Sequence, residues 1–267
     1  MGADVRALKN RIKSIDSTLH LTKAMGLVAS SKMKKAQSGM KKAREYEASF
    51  HNVVSALLSN PEVLRGELFS GNGSDAVRLI VIAGDRGLAG GYNANVFRLL
   101  KAFSGVEVYA IGKRACDKLN KPTLYAEKFS YEDAKRLAVE LLSDFADKKF
   151  GKLGIVCTEY HSMLSQETKV KWVLPFEVST GNKRVGIVFE PDEKTVLDAV
   201  IPQYLASVII SSVRESFACE ISARRTAMDS AGKNAKQMID DLSLEYNRAR
   251  QGAITQEITE IVAGSNF

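Results

Sequence analysis

The sequence predicts an α/β protein in which long N- and C-terminal helices form an antiparallel coiled coil and an inserted Rossmann-like α/β domain lies between them. Three observations favour this fold: apolar heptads near the N-terminus, a second set near the C-terminus, and alternating strands and helices in the middle. The predicted parts are residues 1–60, 75–195 and 203–267, with the first and last forming one rod.

The N-terminal segment keeps a heptad spacing for over seven heptads, without a proline before Pro61. Such persistence is typical of a coiled-coil seam rather than of an ordinary amphipathic helix. Glu47 is the one charged residue among the predicted seam positions. These positions are Val5, Leu8, Ile12, Ile15, Leu19, Thr22, Gly26, Ala29, Met33, Ala36, Met40, Ala43, Glu47, Phe50, Val54 and Leu57.

The C-terminal segment after Pro202 follows the same spacing, and charge interrupts it at Arg224 and Glu245. Two long helices with matching heptads and small seam residues are expected to pair in a left-handed supercoil. The predicted seam is Phe217, Ile221, Arg224, Met228, Ala231, Ala235, Met238, Leu242, Glu245, Ala249 and Gly252.

The middle of the chain alternates between short apolar runs and helical stretches, which predicts a mostly parallel sheet. Chain breaks are expected at 61–74 and 191–202. Strands are predicted at Val77–Ala83, Val106–Ile111, Leu153–Tyr160, Thr168–Pro175 and Arg184–Glu190, with helices near Ala94–Phe103, Lys113–Leu119 and Tyr131–Lys149.

Composition excludes several classes of protein. The 267 residues are 45% hydrophobic and 26% charged, which excludes a disordered, a collagen-like or a polytopic membrane chain. The absence of an apolar run of about 18 residues predicts no membrane-spanning helix. The net charge of +7 falls wholly in residues 1–50 and indicates an acidic partner. The basic stretch Lys32–Arg44 leaves nucleic-acid binding open as an alternative, although it lacks an aromatic residue for base stacking.

The motif nearest to a ligand site is the glycine-rich turn Gly84–Asn93, directly after the first predicted strand. A nucleotide-binding enzyme is therefore a third hypothesis, but the turn lacks both known phosphate-loop patterns. Its simpler interpretation is a tight turn whose Asp85 and Arg86 face a partner. The three histidines and three cysteines are scattered, so we expect no catalytic residue, no cofactor and no metal site.

Three stretches together resemble one known family, the gamma subunit of F-type ATP synthase. They are the helix Thr22–Gln37, the turn Gly84–Asn93 and the C-terminal run Tyr246–Gly264, which matches the family's end signature almost residue for residue. The resemblance extends over both ends and the turn, in the right order.

This resemblance implies a non-catalytic rotor subunit of the central stalk, which couples proton flow to ATP synthesis or hydrolysis. The implied partners are the alpha and beta subunits of the catalytic ring, the epsilon subunit and the c-ring of the membrane sector. It implies a peripheral position on the cytoplasmic side of a bacterial cell membrane, without nucleic-acid binding or direct membrane insertion.

The resemblance also assigns contact residues. Contacts with the alpha and beta subunits are expected at Arg250, Gln251, Thr255, Glu257, Arg224, Lys23, Met25 and Arg86, and a contact with the c-ring or epsilon at Glu190. Departures from the family pattern occur at Gly26, Leu27, Arg225 and Gly232. The two glycines are expected to soften the helices locally, since each costs about 1 kcal/mol against alanine.

Overall fold

The computed structural model describes residues 2–57, 66–176 and 190–264. The chain divides into two compact units: unit 1 comprises Met1–Ser30 with Arg224–Phe267, and unit 2 comprises Ser31–Ala223. The elements are α1 (Gly2–Leu57), α2 (Glu67–Ser70), β1 (Val77–Ile82), α3 (Tyr92–Leu100), β2 (Glu107–Ile111), α4 (Lys113–Leu119), α5 (Tyr131–Ala146), β3 (Lys152–Tyr160), β4 (Gln166–Leu174) and α6 (Glu193–Gly264).

Unit 2 contains a four-stranded sheet in the order β2-β1-β3-β4. Strand β1 pairs in parallel with β2 and β3, and β4 pairs antiparallel with β3. The apolar run of β1 is buried along almost its whole length, as expected for a strand covered on both faces. The α/β prediction is therefore confirmed. The strand predicted at 184–190 lies, apart from Glu190, outside the described residues.

The sheet separates two apolar cores, and successive residues of β1 contribute to opposite ones. Ile80 and Ile82 belong to the larger core, which includes residues of α5 and α6, whereas Leu79 and Val81 belong to the core that includes residues of α3 and α4. This alternation is the period-two geometry of a strand. It fixes the register of β1, because a slip by one residue would exchange the two sets.

Helix α6 begins at Glu193, and the chain break expected at 191–202 is wrong. Asp192 caps the helix, because its carboxylate accepts hydrogen bonds from the Thr195 N–H at 2.9 Å and the Thr195 hydroxyl at 2.7 Å. Pro202 lies inside the helix, where proline normally costs about 3 kcal/mol. Its apolar neighbours Ile201 and Leu205 are buried in the larger core, and this burial offsets the cost.

The expectation of no membrane-spanning helix can be compared with the composition of α6. Within α6, an 18-residue window is apolar enough to cross a membrane by length and composition. However, 61% of that window is buried inside the fold. The same apolar residues form the core of unit 2, so the composition reflects a core helix.

Unit 1 contains an antiparallel contact between the N-terminal part of α1 and the C-terminal part of α6. A Cβ atom added to Gly26 would lie 3.6 Å from the Met228 Cβ, and one added to Gly232 would lie 3.6 Å from the Thr22 hydroxyl. Residues later in α1 therefore contact residues earlier in α6, so the two helices are antiparallel. Both separations are ordinary van der Waals contact, so neither glycine is required by lack of space.

The α1 seam agrees with the burial of its residues, whereas every second position of the predicted α6 seam after Ala235 is displaced by one residue. Every predicted seam position of α1 is buried or half-buried. On α6 the predicted positions Met238, Glu245 and Gly252 are exposed. Their places are taken by the less exposed Ile239, Tyr246 and Ala253, each one residue further along the chain, while the predicted Leu242 and Ala249 are buried or half-buried as expected.

An ion cluster centred on the buried Arg78 joins β1, β2 and α5. The Arg78 side chain is 9% exposed, and its guanidinium pairs with Asp144 at 2.5 Å and Glu107 at 2.5 Å. It also lies 4.5 Å from the centre of the Phe150 ring. Hydrogen bonds from Lys149 and Arg78 lower the pKa of the Asp144 carboxyl below its ordinary value. The folded state therefore favours ionised Asp144.

We predict that Asp144→Asn lowers the free energy of unfolding at pH 7 by about 2 kcal/mol, because the buried Arg78 charge loses one of its two paired carboxylates. Since the folded pKa is depressed, the stabilisation is present above the ordinary value of about 4 and is lost as the pH falls through the folded value. Urea unfolding of the full chain from pH 7 to pH 3 should show a shallower acid loss in the variant.

The matched control is Asp147→Asn, because Asp147 also pairs with Lys149, at 3.4 Å, but its side chain is 59% exposed. This control should remain within about 0.5 kcal/mol of the unmodified chain. Equal losses in the two variants would contradict the role given to Asp144.

Candidate functional site

The glycine-rich turn lies at the carboxyl end of β1, where open α/β sheets commonly bind ligands. Three backbone N–H groups at the start of the turn donate hydrogen bonds to side chains of the same chain. The Gly84 N–H donates to the Asn93 side-chain oxygen at 2.9 Å. The N–H groups of Asp85 and Arg86 each donate to the Glu220 carboxylate of α6 at 3.4 Å. These three N–H groups therefore donate to acceptors within the chain.

Asp85 holds neighbouring segments together and does not face a partner, contrary to the simpler interpretation of the turn. It is 8% exposed. Its carboxylate accepts backbone hydrogen bonds from Lys113 at 3.1 Å, Ala126 at 2.8 Å and Glu127 at 2.8 Å. Arg86, in contrast, is exposed. Within this turn, only the second of the two residues is presented to solvent.

A second carboxylate of α6, Glu215, links α1 to the end of β3. It accepts a hydrogen bond from the Tyr160 N–H at 2.7 Å and pairs with the Arg44 guanidinium. The Glu215 hydrogen bond raises the pKa of Arg44 above its ordinary value. Arg44 also donates to the Tyr160 carbonyl at 3.0 Å. Both charges thus serve the packing of unit 2.

The basic stretch 32–44 is accordingly tied to the fold at both of its ends. Lys32 pairs with Glu127 at 2.6 Å, and Arg44 pairs with Glu215. Between them, Met33, Ala36 and Met40 are buried. Lys34, Lys35, Lys41 and Lys42 are exposed between these ends. The contacts of the stretch within the chain give the nucleic-acid alternative no support.

The contact residues implied by the resemblance fall in both units. In unit 1, Lys23 is exposed, Met25 is half-buried and Arg224 is 6% exposed. In unit 2, Arg86 and Glu190 are exposed. The remaining four lie close together on the exposed end of α6 and are Arg250, Gln251, Thr255 and Glu257. Within this chain Arg224 is largely buried and Met25 partly so, and the contacts themselves stay predictions.

An apolar stripe lies among these four polar residues and was not singled out from the sequence. Ile254, Ile258 and Ile261 are 43%, 56% and 65% exposed, and Val262 is 54% exposed. Their three- and four-residue spacing puts them on one face of α6. The same spacing, continued beyond the last predicted seam position, could have identified this stripe from the sequence. A contiguous exposed apolar stripe is characteristic of an interaction surface.

The candidate metal ligands at the β3–β4 hairpin form a surface ion network. Side-chain atoms of Glu159, His161 and Glu167 lie within 4.8 Å of one another. Lys169 already pairs with Glu159, and its hydrogen bond lowers the pKa of that carboxyl. The Glu159 carboxylate is therefore already paired within the hairpin. The expectation of no metal site stays a prediction.

A cavity of about 370 Å³ lies between β2, the segment 121–124 and α5. Its lining includes the mutually paired Arg78, Glu107 and Asp144 together with Lys121 and Glu140. The pairing of the three charges with one another means that they are not aimed at a ligand.

The three cysteines are free and buried. Burial raises the pKa of the Cys157 thiol to about 12, and it also raises that of Cys219. Cys116 is fully buried and lies 3.6 Å from the Ala110 carbonyl. A raised pKa keeps a thiol protonated near neutral pH and therefore a poor nucleophile, as expected for the packed core residues Cys157 and Cys219.

Comparison with known proteins identifies the class. A family model described as ATP synthase matches residues 4–266. An ATP synthase gamma chain of Ruminococcus albus is 40% identical, with 98% of each chain covered, and one of Clostridium novyi is 35% identical, covering 99% of this chain and 98% of the relative. The matches place the chain among ATP synthase subunits. It belongs to the family of ATP synthase gamma chains.

The fold has a solved counterpart as well. The rotor of the Euglena gracilis mitochondrial ATP synthase, in its first rotational state, has a chain that matches with a TM-score of 0.65 at 16% identity. The match covers 95% of this chain and all of that chain. The shared fold includes both the terminal helices and the α/β domain.

Proposed function

We propose that this chain is the rotor subunit of the central stalk in a bacterial F-type ATP synthase. It transmits torque between the c-ring of the membrane sector and the ring of alpha and beta subunits, in contact with the epsilon subunit. The observation that carries the proposal is identity of 40% over 98% of both chains with a gamma chain. The paired terminal helices, predicted as one rod, would be the rotating element.

The exposed end of α6 is suited to meet a surrounding ring. Ile254, Ile258 and Ile261 offer an apolar face, while Arg250 and Gln251 offer polar groups at the start of the same stretch. Polar contacts that form at some rotation angles and break at others favour different states of a neighbouring subunit in turn. Arg250, Gln251, Thr255 and Glu257 are proposed to make such contacts with the catalytic ring, as are Lys23, Met25, Arg86 and Arg224.

The chain itself is proposed to be non-catalytic. The turn that most resembles a phosphate loop is engaged by Glu220, and the described residues present no cluster of nucleophile, base and orienting group. Nucleotide chemistry would then belong to the partner subunits. Glu190 is proposed to contact the c-ring or epsilon, so that the subunit lies peripherally on the cytoplasmic side of the cell membrane.

Co-purification tests the proposed function. An affinity tag on the full chain, expressed in its own cells, should recover the alpha, beta and epsilon subunits in one detergent-solubilised complex. The complex should hydrolyse ATP, and the purified chain alone should not. Recovery of the chain without those subunits, together with salt-sensitive DNA binding, would contradict the rotor function and favour the nucleic-acid alternative.

A further inference from the structure

The contact between Glu220 and the glycine-rich turn is arranged like an anion site. Glu220 is 2% exposed, so its carboxylate is removed from bulk water. Successive backbone N–H groups, those of Asp85 and Arg86, donate to its two oxygens. Consecutive N–H groups that converge on one anion form the concave backbone arrangement that binds phosphate in other proteins.

The close approach of this carboxylate explains the glycine at position 84. A Cβ atom added there would lie 2.8 Å from the Glu220 Cδ and 3.1 Å from its Oε1. A side chain at this position would therefore displace the carboxylate. The charge also affects its surroundings, since burial and then the Glu220 charge raise the pKa of Tyr92 well above its usual range.

We propose that Glu220 is an internal anion that fills an oxyanion site in the turn 84–87, so that the turn binds helix α6 in place of a phosphate-type ligand. Removal of the carboxylate then opens a site for small free oxyanions. Glu220 is a positioning residue in this proposal, because it holds α6 against a turn that lies 135 positions earlier in the chain. The inference concerns unit 2 alone and does not depend on the proposed rotor function.

Chemical rescue of Glu220→Ala tests the proposal on the purified full chain. We expect the variant to unfold roughly 5 °C below the unmodified chain, because two charge-assisted hydrogen bonds are lost. Sodium formate, which supplies a carboxylate that fits the vacated space, should restore at least half of that loss. Sodium chloride at equal ionic strength should not. Glu245→Ala, which removes an exposed carboxylate from the same helix, should respond equally to both salts.

Formate no better than chloride, or an unchanged unfolding temperature in Glu220→Ala, would overturn the proposal. A second pair of variants decides the matter if Glu220→Ala does not fold. Gly84→Ala should lower the unfolding temperature by displacing the carboxylate, and the shorter Glu220→Asp should partly restore it in the double variant. If the losses in unfolding temperature from Gly84→Ala and Glu220→Asp simply add in the double variant, the two side chains do not compete for the same space. That result would contradict the proposal.

Discussion

Replacing Arg250 and Gln251 together by alanine is expected to reduce coupled ATP synthesis by roughly tenfold in membrane vesicles. Both side chains are exposed on α6, so their loss removes no packing within the chain. If they bind the catalytic ring at particular rotation angles, their removal weakens the link between rotation and nucleotide release. Thermal unfolding of the purified variant should remain within about 2 °C of the unmodified chain.

The matched control is Lys236→Ala with Gln237→Ala, because it removes one basic residue and one glutamine from an exposed part of the same helix. This control should leave synthesis unchanged. Equal synthesis rates in the Arg250/Gln251 variant and the unmodified complex would remove these two residues from the proposed contact. An equal loss in both double variants would show that helix charge, and not position, determines the effect.

A large effect on stability is expected from Gly112→Ala, where steric overlap and a positive φ angle coincide. Gly112 has a φ angle of 94°, and a Cβ atom there would lie 2.0 Å from the Ala83 carbonyl oxygen. Backbone must move to relieve that overlap, in the turn between β2 and α4, where the Gly112 N–H also donates to the Leu124 carbonyl at 2.8 Å. We expect a loss of about 3–5 kcal/mol in the free energy of unfolding, measured with urea.

Gly105→Ala separates the two contributions to this loss. Gly105 also has a positive φ angle, of 72°, but a Cβ atom added there would have nothing within 4 Å. Its substitution should therefore show only the backbone strain, about 1–2 kcal/mol. If the two variants lose equal stability, the overlap with Ala83 is relieved at no cost and the steric argument fails.

Local patterns were enough to predict much of the fold. The predicted and observed bounds of α4 agree, and the apolar run of β1 was placed to within one residue. The α1 seam was also correct, because a long helix repeats its apolar spacing many times. On α6 the adjacent residues Met238 and Ile239 are both apolar, which left the seam position after Ala235 ambiguous by one residue. Burial, and not periodicity, distinguishes Ile239 from Met238.

The role of Glu220 could not be predicted from the sequence, for a physical reason. Its carboxylate and the N–H groups that it accepts from lie 135 and 134 positions apart in the chain, and they meet only after α6 has packed against the sheet. The role of Asp85 could not be predicted for the same reason, because its carboxylate accepts hydrogen bonds from the distant backbone N–H groups of Lys113 and Ala126. Hydrogen bonds of this kind have no local periodicity. From the sequence, the turn lacked both known phosphate-loop patterns, and its simpler interpretation was a tight turn that faces a partner.

The burial of all three cysteines has a practical consequence for observing motion. A single cysteine introduced at an exposed position such as Lys9 would be the accessible thiol of the chain, because Cys116, Cys157 and Cys219 are enclosed in the fold. The raised pKa of Cys157 further slows its reaction with maleimides near neutral pH. A fluorophore or bead can thus be attached at one chosen place, so that individual molecules can be followed by light microscopy without first removing the three natural cysteines.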